Sequence, residues 1–244
     1  MNQPKSHLVL IPAFNPGRLL ADTVEGALSN WDDVWVVVDG STDGSHAGLG
    51  TGRHPGLRVI VRPHNGGKGA AVLTGAREAL AVGFTHALVM DADGQHPAGR
   101  IGEFMETSIH SPEAVVCGRP VFGPEAPRAR LYGRKLSVGL VRLETSGRGA
   151  ADPLFGFRVY PLGALVRVLE STRGGRRYDF DPEVAVRLAW AGTPAINLEA
   201  PCVYVGPERG GVSHFRYLRD NLGMIALHAR LICDIILGRS ARAA

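Results

Sequence analysis

Cysteine is scarce in this sequence, long apolar runs are missing, and aromatic residues make up only 7% of the 244 positions. The three cysteines, Cys117, Cys202 and Cys233, are too few and too widely spaced for a disulfide framework or a zinc site. Reduced, mostly packed thiols are expected. No stretch approaches the roughly 18 apolar residues of a spanning helix, and Met1 to Ser6 lacks the charged-then-apolar layout of an export leader. A cytoplasmic address is the default expectation. Charge of one sign is not in large excess either: 27 basic against 23 acidic residues leave a net charge of +4. That mild positive balance favours phosphate-bearing ligands without choosing among them. Nucleic acid is the poorest of these candidates, since the basic residues have no interleaved aromatics and form no recognised nucleic-acid motif.

What is present is a repeating α/β rhythm. The apolar runs His7 to Ile11, Val34 to Val38, Leu57 to Val61 and Ala87 to Met90 read as strands buried on both faces. Between them, Arg18 to Ser29 and Ala70 to Val82 carry apolar residues at helical spacing. Consecutive βα units predict a doubly wound, mostly parallel sheet with helices on both faces, whose ligands sit beyond the carboxyl ends of the strands. The loops after those strands are polar and glycine-rich: Pro12 to Gly17, Asp39 to Gly44, His64 to Gly69 and Asp91 to His96. After Cys117 a basic stretch broken by Pro120, Pro124 and Pro127 reads as a mobile loop leading into a helix. An extended piece at Phe155 to Tyr160, helices near Leu162 to Leu169 and Pro182 to Ala191, and short strands around Ala195 to Val205 complete the pattern. With no linker or internal repeat, residues 1–212 are expected to form one domain, and residues 213–244 an amphipathic C-terminal helix and tail. In that helix Leu218, Leu222, Ile225, Ile232 and Ile236 alternate with charged residues. It suits an anionic membrane surface, its own domain, or a second subunit of a homodimer.

Two carboxylates two residues apart at a strand end, Asp91 and Asp93, can share a turn and bind a divalent cation whose remaining positions take phosphate oxygens and water. Other glycine-rich signatures fail. A triphosphatase phosphate loop would need glycine at Arg62 and a hydroxyl at Gly69, and Gly48 to Gly52 lacks the spacing of a dinucleotide fingerprint.

Together, Val9-Leu-Ile-Pro-Ala-Phe-Asn15, Val37-Val-Asp-Gly-Ser-Thr-Asp-Gly44, Asn65-Gly-Gly-Lys-Gly-Ala-Ala71 and Asp91-Ala-Asp-Gly-Gln-His96 resemble the family-2 glycosyltransferases of GT-A fold. Asp152-Pro-Leu-Phe-Gly-Phe-Arg158 and Arg209-Gly-Gly-Val-Ser-His214 are similar to later motifs of the branch that makes dolichyl- and polyprenyl-phosphate sugars. The resemblance implies inverting transfer from a nucleoside diphosphate sugar, a UDP- or GDP-sugar, to a lipid-linked or phosphate-bearing acceptor. It implies Mg²⁺ or Mn²⁺ held by Asp91 and Asp93. It places Pro12, Ala13, Asn15, Asp39, Lys68 and Asp91 around the nucleotide sugar, and Arg209 and Ser213 on the donor diphosphate. Two positions depart from the family pattern: Pro16 and Val38 stand where acidic residues are common.

On the acceptor side a hydroxyl needs a general base, whereas a phosphate is already ionised. The carboxylates offered are Asp179, Asp181 and Glu183 in Tyr178-Asp-Phe-Asp-Pro-Glu183, and Asp152 upstream. Asp181 before Pro182 also reads as a helix N-cap, and Glu183 as a macrodipole partner. Arg119, Arg128, Arg130, Arg134 and Arg158 offer guanidinium groups for phosphate or form a solvated face. A nucleotidyltransferase, and a non-catalytic nucleotide-sugar sensor or membrane adaptor, are the alternatives the same residues leave open.

Overall fold

Strand β1 (His7–Ala13) shows how the two faces of the sheet are filled. Successive side chains leave a strand on opposite sides. Leu8 and Leu10 accordingly enter one apolar layer with Trp35 and Val37, while Val9 and Ile11 enter the other with Val34 and Val36. The computed structural model describes residues 6–49, 52, 54–123, 128–172, 174–203 and 217–240. In chain order they form β1, α1 (Leu19–Leu28), β2 (Val34–Asp39), β3 (Leu57–Arg62), α2 (Lys68–Ala81), β4 (His86–Val89) and α3 (Ile101–His110). There follow β5 (Val115–Phe122), α4 (Arg128–Glu144), β6 (Arg158–Pro161), α5 (Leu162–Ser171), α6 (Phe180–Trp190), β7 (Ala195–Cys202) and α7 (Tyr217–Ile236).

The seven strands make one sheet in the order β3-β2-β1-β4-β6-β5-β7. Every pairing is parallel except those of β6, which runs antiparallel to β4 and β5. Helices α2, α5 and α6 cover one face through Ala71, Val72, Leu165, Leu169, Phe180 and Val184. Helices α1 and α3 cover the other through Leu20, Val24, Phe104 and Met105. The mostly parallel, doubly wound expectation therefore holds. A third cluster, Val141, Val186, Leu227 and Leu231, joins α4, α6 and α7.

Two prolines lie inside strands, Pro12 in β1 and Pro120 in β5, where the sequence pattern ends the first run at Ile11 and reads a loop after Cys117. Leu10 accepts a backbone hydrogen bond from Met90 on the β4 side, so Pro12, two residues on, turns its missing N–H to that same side. Strand β4 has ended by then, and no ladder bond is lost. The same holds for Pro120, because Gly118 donates to Phe157 beside β6 and the β6 pairing stops at Cys117. Strand β5 therefore continues to Phe122, fully paired with β7. This corrects the expectation of a loop after Cys117: Arg119 faces Glu199 across the ladder, 2.5 Å away. Helix α6 also starts earlier than expected, at Phe180, and places Asp181 inside the first turn instead of at the N-cap.

Candidate active site

The parallel register brings the ends of β1, β2 and β4 to one edge of the sheet, and the polar loops meet there. Asn15 adopts a left-handed φ of 45°. Its Oδ1 accepts the N–H groups of Thr42 at 2.7 Å and Asp43 at 3.3 Å, and its own N–H donates to Ser41 Oγ at 3.0 Å. Asp43 in turn accepts from Gly17 N–H at 2.9 Å and from the Ser45 hydroxyl at 2.8 Å. Burial alone would raise its pKa, but these hydrogen bonds hold the carboxyl below its ordinary value. The loops that carry Pro12, Ala13 and Asn15 on one side and residues 41–45 on the other are thus stitched into one rim.

Asp39 ends β2 opposite Arg62, its register partner, and the two form an ion pair. Its oxygens also accept the N–H groups of Gly66 at 3.0 Å and Gly67 at 2.7 Å. Oδ1 accepts from Arg62 and Gly66 and Oδ2 from Gly67, so Oδ2 keeps acceptor capacity for a further donor. What Asp39 does in this structure is fix the turn that opens α2. Gly67 takes φ of 90°, and a Cβ there would collide with the Arg176 carbonyl. The turn and the loop 174–179 pack backbone to backbone, with Gly69 N–H donating to Arg176 O at 3.0 Å.

That turn aims Lys68, the first residue of α2, into a pair of carboxylates. Its ammonium lies 2.6 Å from Asp91 Oδ1 and 2.7 Å from Asp181 Oδ2. Burial works against the charge, yet Asp181 and then Asp91 more than offset it and hold the ammonium protonated well above the usual lysine range. Asp91 shows the reciprocal effect. Burial would raise it, but Lys68, then His96, bring it below the ordinary carboxylate range. Gly156 closes over the bridge: a methyl there would collide with the Lys68 ammonium and lie 3.1 Å from Asp181 Oδ1. That Oδ1 is buried without a hydrogen-bond partner among the described residues.

Asp93 sits beside this bridge and accepts Gln95 N–H at 3.0 Å. Its pKa is raised, first by burial and then by the Asp91 charge. His96 Nδ1 accepts the Asp91 N–H at 2.9 Å, an assignment that puts any ring proton on Nε2. Burial lowers its pKa in spite of both aspartates, and Phe155 and Phe157 pack edge-on against it. Two crowded carboxylates with one raised pKa form a site that a divalent cation would relieve. Among the described residues no cluster of three or more His, Cys, Asp or Glu is arranged to hold a metal.

Other expected site residues lie elsewhere. Glu183 is fully buried in a separate network, accepting from Thr172 at 2.7 Å, Arg187 at 2.9 Å and Arg230 at 2.7 Å. Asp152 is paired with Arg134 and accepts Leu154 N–H at 2.9 Å. Arg158 corrects the expectation of a phosphate-binding guanidinium. It is completely buried and donates to the carbonyls of Asp152, Pro153 and Asp181 at 3.1, 2.7 and 2.9 Å, clamping the 152–157 loop against the start of α6. Arg209 and Ser213 lie outside the described residues, as do the side chains of Arg128 and Arg130. Sequence reasoning passed over His96 and Gly156, although both stand inside the quoted motifs. It also passed over a cavity of about 270 Å³ lined by Gly174, Arg176, Arg177, Tyr178, Asp179, Asp220 and Gly223. The Tyr178 phenol there is pushed up to about 12 by burial, then by Asp220 and Asp91.

Comparison with known proteins places the fold and the family. The chain is 25% identical over 197 residues to a Methanococcus voltae UDP-N-acetylglucosamine–dolichyl-phosphate N-acetylglucosaminyltransferase, covering 73% of this chain and 78% of that protein. It is 27% identical over 210 residues to a Micrococcus luteus undecaprenyl-phosphate mannosyltransferase, covering 83% and 85%. Among solved structures, S. aureus TarS 1-349 in complex with UDP-GlcNAc superposes with a TM-score of 0.59 at 15% identity. That match covers 93% of this chain and 66% of the TarS chain, and it shows the shared GT-A fold. The profile described as glycosyl transferase family 2 matches residues 8–163, which include the Lys68, Asp91 and Asp93 positions. The chain belongs to glycosyl transferase family 2.

Proposed function

We propose that this glycosyltransferase moves a sugar, with inversion, from a nucleoside diphosphate sugar to a polyprenyl-phosphate acceptor and uses Mg²⁺ or Mn²⁺. The observation that carries the reading is the Lys68 ammonium bracketed by Asp91 and Asp181, with Asp93 beside it, at the carboxyl ends of the strands. The relatives named for dolichyl- and undecaprenyl-phosphate transfer support the acceptor class, and TarS bound to UDP-GlcNAc supports the donor class.

In the proposed reaction an acceptor phosphate oxygen forms a bond to the anomeric carbon as the bond from that carbon to the diphosphate oxygen breaks. The electron pair leaves with the nucleoside diphosphate, and attack from the opposite face inverts the centre. An ionised phosphate brings its own nucleophile, so no side chain has to remove a proton. The residues then act by placement. Lys68 keeps Asp91 ionised and fixes Asp181 against it. Asp181 Oδ1, lacking a partner among the described residues, is an acceptor for a hydroxyl of the incoming sugar. Asp93 and the remaining oxygen of Asp91 would hold the cation. When bound, it supplies Lewis-acid stabilisation of the departing diphosphate.

Thermal unfolding of wild type and Asp93→Ala tests this with UDP, GDP, CDP and dTDP, each with and without Mn²⁺. A ligand at about 100 times its dissociation constant adds roughly 2.7 kcal/mol. Stabilisation by one nucleotide that needs the metal and disappears in Asp93→Ala supports the reading. If none stabilises with metal, the donor-site reading fails. Pyrophosphate release from a nucleoside triphosphate would instead identify a nucleotidyltransferase.

A further inference from the structure

Met90 donates its N–H to Leu10 on the β1 side, so the next N–H, that of Asp91, turns to the β6 side. There the pairing of β4 stops at Val89, opposite Arg158, the first residue of β6. His96 takes the place of a strand: its Nδ1 accepts the Asp91 N–H at 2.9 Å, from a side chain only 4% exposed. A ring that accepts at Nδ1 and is neutral carries its proton on Nε2. That Nε2 lies 3.6 Å from Asp91 Oδ2, past hydrogen-bond reach, while Lys68 holds Oδ1. The histidine therefore grips the backbone of Asp91 and not its carboxylate.

The rest of the ring meets the loop that covers the site. Phe155 and Phe157 pack edge-on against it, with centroids 4.8 and 5.5 Å away. Gly156, between them, is the residue that closes over the Lys68 ammonium and Asp181. One imidazole thus joins the turn that carries Asp91 and Asp93 to the loop over Asp181. The turn also borders a cavity of about 350 Å³, lined in part by Thr23, Met90, Gly94, Ala98 and His96, so close packing alone does not fix it. We infer that His96 is a positioning residue, whose Nδ1 fixes the Asp91 backbone and so sets the direction in which Asp91 and Asp93 present their carboxylates to a divalent cation. The inference rests on the proposed reading that these two aspartates hold the cation. Groups that orient metal ligands from behind govern affinity by about 10- to 100-fold.

The test compares His96→Asn with His96→Gln in the full chain. Both lose the ring contacts with Phe155 and Phe157, but the asparagine oxygen stands close to the Nδ1 position, whereas the glutamine amide reaches the Nε2 position. Mn²⁺ binding is read by electron paramagnetic resonance in the presence of UDP and, separately, of GDP, so no turnover is needed. His96→Gln should weaken Mn²⁺ binding about 10- to 100-fold, while His96→Asn keeps most of the wild-type affinity. His96→Phe, which keeps a ring and has no acceptor, should bind Mn²⁺ as weakly as His96→Gln. Hydrogen exchange of the metal-free wild type needs no variant to fold, and its Asp91 amide should be protected. Wild-type Mn²⁺ affinity in His96→Gln or His96→Phe, equal weakening in His96→Asn and His96→Gln, or an Asp91 amide that exchanges as fast as an exposed loop would each overturn the role of His96 and leave the cation reading intact. Wild type that binds no Mn²⁺ with either nucleotide overturns the cation reading itself, and the inference with it.

Discussion

Replacing Lys68 with methionine removes one charge that serves two carboxylates, with little change in length. The ammonium lies 2.6 Å from Asp91 and 2.7 Å from Asp181, so both lose a partner together. Breaking a buried ion pair from one side costs about 3–5 kcal/mol. The Asp91 side chain is 34% exposed, and solvent screens part of the loss, which argues for the lower end, about 3 kcal/mol. At about 2.1 cal/mol/K per residue, a chain of this length has an unfolding entropy near 0.5 kcal/mol/K, which gives a fall of about 6 °C in Tm. Transfer should drop about a hundredfold, the cost of displacing a positioned group by an ångström. Lys68→Arg should not rescue it, because Gly156 leaves no room beside the ammonium for a larger head group. The pH dependence has a definite sign. Asp91 is held below its unfolded value, so its stabilising contribution is present above about pH 4 and lost below it. The gap between wild type and Lys68→Met should therefore narrow in acid. Calorimetry and a transfer assay on the same preparations decide it: a Tm within about 1 °C of wild type with transfer retained would refute the bridge as the organiser of the site.

Three further outcomes follow from the geometry. His7 stacks on His86 with ring centroids 4.4 Å apart, and burial, then the His86 charge, lowers its pKa from 6.5 to about 4. The unfolded chain takes up that proton first, so stability is full above about pH 6.5 and falls by about 3 kcal/mol toward pH 4; urea titrations should show this slope in wild type and a flatter one in His7→Phe. Gly67→Ala forces a side chain into φ of 90° against the Arg176 carbonyl, so it should lose about 3 kcal/mol or accumulate poorly, as read by melting temperature and soluble yield. Glu183→Gln should cost at least about 3 kcal/mol through Arg187 and Arg230 yet leave kcat within about twofold, whereas Asp181→Asn should depress kcat; equal losses of kcat in the two would contradict the separation of these carboxylates.

The strands and most helices were legible because their apolar runs are continuous or keep helical spacing, and both patterns survive in the burial of β1, β2 and α2. What escaped depended on neighbours distant in sequence. Pro12 and Pro120 look like strand breakers until the sheet order shows that each faces a side where the pairing has stopped. Arg158 looks like a phosphate ligand, and only the fold shows it swallowed by three carbonyls. Within the site, Asp91 and Asp93 stand out by their spacing. The joining of Asp181 to them through Lys68 is not visible, because 113 positions separate Lys68 from Asp181. Glu183 is two residues from Asp181, yet its carboxylate binds Thr172, Arg187 and Arg230 and not Lys68. The apolar spacing of α7 was plain, but which stripe it buries is decided by α4 and α6.

The most direct test of the central claim is product analysis after incubating the protein with labelled UDP- and GDP-sugars, Mn²⁺ and a short polyprenyl phosphate. Label is expected in a lipid product joined through phosphate, with the anomeric centre inverted, and is expected to be lost on chelation and in Asp93→Ala. Label that stays water-soluble with every donor, or transfer that persists undiminished in Asp93→Ala, would contradict it.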